Sequence, residues 1–101
     1  MQTTLTYPVH VEGRMALRGY SYDEVEYIIA RGVRVVGAGV CHYFLRRSDI
    51  RMHEHRTWSH LAGTVVLLSL DGSTVVTVYR APDGLKGIRR KCQEFHWGRA
   101  A

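Results

Sequence analysis

His10, Arg14 and Arg18 recur at steps of four residues, and at about 3.6 residues per turn a helix would carry all three within one narrow arc. Cleaving a phosphodiester takes donors for the charge that develops on the phosphorus oxygens and a group that exchanges a proton near neutral pH. Guanidinium and imidazole are those groups. The same spacing also describes a solvated helix edge in which Arg18 pairs with Asp23 or Glu24.

A second set closes the last apolar stretch. Thr77 and Tyr79 alternate onto one face of a strand and Arg80 onto the other, so two hydroxyls stand side by side where they can bind a phosphate or orient a ribose. Thr and Tyr are equally residues that strands favour for packing. Beyond Pro82-Asp83-Gly84 comes a basic group, Lys86, Arg89, Arg90 and Lys91, followed by Phe95 and Trp97. Such a group neutralises phosphates while aromatic rings offer stacking surfaces, although a solvated basic tail has the same composition. His53-Glu54-His55 with His60 superficially suggests a metal site, but the spacing fits no zinc motif and a third well-placed ligand is missing. Surface histidines in a loop are the expectation there, with Trp58 anchoring the loop on the core. No metal and no cofactor is expected.

The elements that must hold these residues are short. An extended opening ends at Pro8; Val9 to Leu17 then reads as a helix stopped by Gly19, with Gly13 weakening it. Ser21 and Glu24 form the pattern of a capping box ahead of Val25, Ile28 and Ile29, which predicts a second helix ending at Gly32. Val33 to Val36 and Cys41 to Leu45 read as strands around Gly37-Ala38-Gly39. Thr64 to Leu70 and Ser73 to Arg80 flank Asp71-Gly72, and a two-residue turn there sets Val66 opposite Thr77. Both faces of that hairpin are apolar, as in a strand pair central to its sheet. Ser48 to Ala62 reads as a long polar loop with room for a helical turn.

The fold class is therefore α+β, with two short N-terminal helices packed on an antiparallel sheet of about four strands. With 101 residues, 46% of them apolar, one domain spanning 1–101 is expected. No apolar run is long enough to span a membrane and the first residues do not read as a signal peptide, so the cytoplasm is the expected compartment. Cys41 and Cys92 are expected to be packed thiols. Fourteen Lys and Arg against nine Asp and Glu, a net charge of +5, favour anionic partners.

Taken in order, His10-Val-Glu-Gly-Arg14-Met15-Ala-Leu-Arg18-Gly19, Ser21-Tyr-Asp-Glu-Val25, Val76-Thr77-Val78-Tyr79-Arg80 and Ile88-Arg89-Arg90-Lys91 resemble the domain-of-unknown-function 4258 family. That family looks like a branch of the barnase, EndoU, colicin and RelE fold group, many members of which are metal-independent ribonucleases and several of which are toxins restrained by an antitoxin. The resemblance implies a RelE-like fold and RNA as partner, with an antitoxin or other protein partner as a further implication. It would make His10 the proton-transfer group, Arg14 and Arg18 phosphate clamps, and Thr77 a substrate-orienting hydroxyl in 2′-hydroxyl attack. Tyr79, Arg80, Lys86, Arg89, Arg90 and Lys91 would then hold the substrate. The alternative is an accessory module that binds nucleic acid or protein without reacting.

Overall fold

In the computed structural model residues 5–100 are described, and side chains as far as Gln93, so Phe95 and Trp97 lie outside the described side chains. The first helix, α1 (Val9–Arg18), turns Val11 and Met15 inward and ends at Gly19, whose φ of 79° is the left-handed cap that glycine adopts without strain. The second, α2 (Tyr22–Arg31), opens with the full capping box: Ser21 Oγ accepts the Glu24 N–H at 3.2 Å, and the Ser21 N–H donates to Glu24 Oε1 at 2.8 Å. Gly32 does end α2, but in extended backbone with φ −73°. Its missing side chain matters for space, since a Cβ there would lie 2.6 Å from the Ile28 carbonyl oxygen.

Four strands, β1 (Val33–Gly37), β2 (Val40–Phe44), β3 (Thr64–Leu68) and β4 (Val75–Arg80), form an antiparallel meander in the order β1-β2-β3-β4. The β3–β4 hairpin is thus not wholly central: β3 is internal and β4 is an edge strand. Thr6 covers part of that edge by a parallel bridge to Thr74, its N–H reaching the Ser73 carbonyl at 2.7 Å.

The turn between β3 and β4 departs from the two-residue expectation. Of the two turn residues only Gly72 has positive φ, 75°, and its N–H bonds the Ser69 carbonyl at 2.8 Å. Asp71 Oδ1 accepts the Ser69 hydroxyl at 2.6 Å, the Ser73 hydroxyl at 2.8 Å and the Ser73 N–H at 3.1 Å. These bonds hold a wider turn, yet beside it Leu68 still pairs with Val75 as a two-residue turn would have it; the register shifts by one between Leu67 and Leu68, where Val76 is the extra residue of a bulge in β4. Val66 therefore faces Val78, and Leu67 faces Thr77.

That one-residue slip decides which face each side chain occupies. Val66, Leu68, Val75 and Val78 join Val11, Met15, Val25 and Ile28 in the core beneath α1 and α2. Val65, Leu67 and Tyr79 face the other way, with Phe44, against Ile88 and Cys92 of a helix, α4 (Gly84–Ala100), where no element was expected. Leu85, Ile88 and Cys92 form its inward stripe, and fully burying Ile88 alone stabilises the docking by about 1.5–3 kcal/mol. The sheet is covered on both faces, which explains why its strands are apolar on both.

The segment between β2 and β3 holds the helical turn allowed for it, α3 (His55–Trp58), within a chain of further single turns. Trp58 stacks on Tyr27 of α2 at 4.4 Å, Tyr27 donates to Glu54 at 2.8 Å, and His60 lies 2.6 Å from Glu24. Among the described residues no helix is long and apolar enough to cross a membrane.

Candidate functional site

The helical arc of His10, Arg14 and Arg18 forms, but its members differ in what they do. His10 and Arg14 are exposed, next to the outward-facing Val9 and Leu17. Arg18 donates from Nη1 to the Val78 carbonyl at 2.6 Å, so it closes an edge group of β4 and pairs with neither Asp23 nor Glu24. Thr77 stands opposite Leu67 on the α4 side of the sheet, whereas α1 packs on the other side. The structure thus separates Thr77 from His10 and Arg14 by the thickness of the sheet, and the four residues do not line one surface.

Arg80 is likewise bound to backbone. Its guanidinium donates to the Ala62 carbonyl at 2.7 Å and the His60 carbonyl at 2.9 Å, tying β4 to the turn before β3. Tyr79 points to the α4 side, where the Lys91 ammonium sits 5.9 Å from its ring centroid.

The basic residues expected to hold a substrate at the end of the sequence come together on one helix. On α4, Lys86, Arg89 and Arg90 follow the i, i+3, i+4 spacing that places side chains on one helical face, opposite the buried Ile88 and Cys92. With Leu85 and Gln93 they line an open groove of about 370 Å³. Lys86, Arg89, Arg90 and Lys91 are exposed, and the ion pairs found among the described residues, Arg31–Glu54, Arg46–Asp49, His53–Glu54 and His60–Glu24, involve none of them. Cations without a carboxylate partner among the described residues, beside a shallow groove, suit a polyanion by charge.

α4 is seated by two features that sequence reasoning did not find. Gly37 of β1 touches the helix so closely that a Cβ there would lie 2.6 Å from Cys92 Cβ. Beneath it His42 is 2% exposed, its Nε2 3.1 Å from the Gly37 carbonyl oxygen and 3.4 Å from Cys92 Sγ. Burial holds the His42 imidazole below its ordinary pKa, with the Lys91 charge adding to the effect, and burial pushes the Cys92 thiol up. Both are therefore neutral packing groups at pH 7, and Cys41 belongs to the core on the opposite face. The Leu85, Ile88, Cys92 periodicity was the available signal for α4; no local signal foretold Gly37 or His42.

The histidine-rich segment has its own partners. His60 bonds Glu24; burial raises that carboxyl, but bonds from His60 and Ser21 outweigh it and hold the group below the usual range. Among the described residues no three His, Cys, Asp or Glu side chains are grouped to hold a metal ion. Comparison with models of known protein families, with curated proteins and with solved structures finds no match.

Proposed function

We propose that this chain is an RNA-directed binding module that grips the phosphate backbone along the outer face of α4. The observation that carries this is the contrast among its arginines. Arg18 and Arg80 are engaged by backbone carbonyls and Arg31 and Arg46 by carboxylates; Arg14, Arg47, Arg51 and Arg56 are exposed, as are Lys86, Arg89, Arg90 and Lys91, but only the last four gather on one helix with no such partner among the described residues. A net charge of +5 supports an anionic partner in general, and the resemblance noted above supports RNA in particular.

Binding without cleavage is the reading the geometry favours. His10 and Arg14 share a face, but Arg18 is engaged elsewhere and Thr77 is across the sheet, so a proton-transfer group, clamps and an orienting hydroxyl do not meet at one phosphate. The test is incubation of a mixed RNA pool with the purified protein and with His10→Ala in chelator, alongside a binding titration of the same pool. Retention of RNA without new ends is expected. Cyclic-phosphate ends made by the wild type and lost in His10→Ala would replace this reading with a metal-independent ribonuclease.

A further inference from the structure

At the start of α4 a second cavity opens, of about 150 Å³, lined by Tyr79, Ala81, Pro82, Asp83, Gly87 and Lys91 among others. Its size is about half the ~300 Å³ at which pockets begin to hold drug-sized ligands, which leaves room for a single planar ring system. Its walls are suited to one. Tyr79 supplies an aromatic face, Pro82 an apolar edge, and Lys91 a cation 5.9 Å from the Tyr79 ring centroid.

Charge decides what kind of group enters. A helix N-terminus ordinarily favours an anion, but here Asp83 immediately precedes Gly84, the first residue of α4. Asp83 also folds against Gly87, where a Cβ would come within 2.5 Å of Asp83 Cβ, so the bare glycine is what lets the carboxyl lie over the helix. A carboxylate at the mouth repels a phosphate and accepts hydrogen bonds from the N–H groups on a base edge. Lys91 lines this cavity, and Arg90, the residue before it on α4, lines the groove with Lys86 and Arg89.

We propose that the cavity is a nucleobase subsite, in which one unpaired base of a single-stranded RNA stacks on Tyr79 while its backbone runs over α4 and takes Lys91 as a phosphate partner. This rests on the reading of α4 as a phosphate-contacting helix and adds to it a requirement for an unstacked base. Duplex RNA, whose bases are paired, binds through α4 alone.

The experiment uses the full chain and an oligouridine of about ten nucleotides with one central 2-aminopurine. Wild-type protein is expected to quench the 2-aminopurine on binding. Tyr79→Leu should weaken binding on the order of tenfold, abolish the quenching and leave the salt dependence unchanged, while Tyr79→Phe behaves as wild type. Wild-type binding without quenching, or Tyr79→Leu binding as tightly as wild type, overturns the subsite and leaves the α4 reading standing. Absence of any wild-type binding overturns both. Should Tyr79→Leu fail to fold, the wild-type quenching decides by itself.

Discussion

Cys92 of α4 brings its Sγ to 3.4 Å from Nε2 of His42, a residue fifty positions earlier and 2% exposed in the middle of β2. The contact fixes the basic helix to the sheet, and it makes that attachment sensitive to acid. In the unfolded chain His42 takes up a proton near pH 6.5, whereas in the folded chain burial holds its pKa lower.

The sign follows from linkage. Below pH 6.5 the unfolded state binds more protons at His42 than the folded state, so the stability this neutral imidazole contributes is present above pH 6.5 and is lost as pH falls from there toward the folded value. Glu24, whose folded pKa lies below 4.5, contributes stability that is present above 4.5 and disappears as pH falls further. Urea denaturation at a series of pH values should show two declines, and His42→Leu should lose the first while keeping the second.

Gly37→Ala tests the close approach of α4. The added methyl would meet Cys92 Cβ at 2.6 Å, and the helix must move away to admit it. A loss of about 1–3 kcal/mol is expected, read as a lowered urea midpoint. Hydrogen exchange should locate the loosening in 84–93, with α1 and α2 unaffected.

Two substitutions should stabilise. Gly13 lies inside α1 with nothing within 4 Å of a built Cβ, so Gly13→Ala removes the entropy cost of a helical glycine, about 0.5–1 kcal/mol. Ala38 adopts φ 56° beside Gly39 at φ 80° in the two-residue β1–β2 turn, and Ala38→Asn should relieve up to about 1 kcal/mol of left-handed strain. Each gain of about 1 kcal/mol corresponds to a rise in Tm of roughly 4–8 °C for a chain of this size, measurable by calorimetry.

Arg18 and Arg14 are one helical turn apart and both exposed, yet they should differ when removed. Arg18→Ala leaves the Val78 carbonyl on the β4 edge without its 2.6 Å donor and should cost about 1–2 kcal/mol. Arg14→Ala, on the solvent side, should stay within about 0.5 kcal/mol of wild type by thermal denaturation.

This pair also shows how far the sequence could be read. Local chemistry was legible: the Ser21–Glu24 capping box, the left-handed Gly19 and the apolar stripe of α2 all lie within a few residues of the groups they satisfy. What decides the site is not local. Arg18 finds its acceptor sixty residues away and Arg80 finds its two in the turn before β3, eighteen and twenty residues back, and no spacing announces a backbone carbonyl as partner. Asp71-Gly72 anticipates the pairing beside the turn, where Leu68 meets Val75, but nothing local announces the bulge at Val76 that moves Val78 to the side of Val66. In α4, Gly84 and Gly87 and the density of charge hid a stripe that, among the described side chains, consists of Leu85, Ile88 and Cys92.

The claim that α4 is the polyanion-binding element is tested most directly by the salt dependence of single-stranded RNA binding. Each phosphate neutralised contributes about 0.7 to the slope of log affinity against log salt. The triple variant Lys86→Gln, Arg89→Gln, Arg90→Gln should therefore bind more weakly with a slope shallower by about 2, while His10→Ala with Arg14→Gln should keep the wild-type slope. Unchanged affinity and slope in the triple variant, or a slope carried by His10 and Arg14, would contradict it.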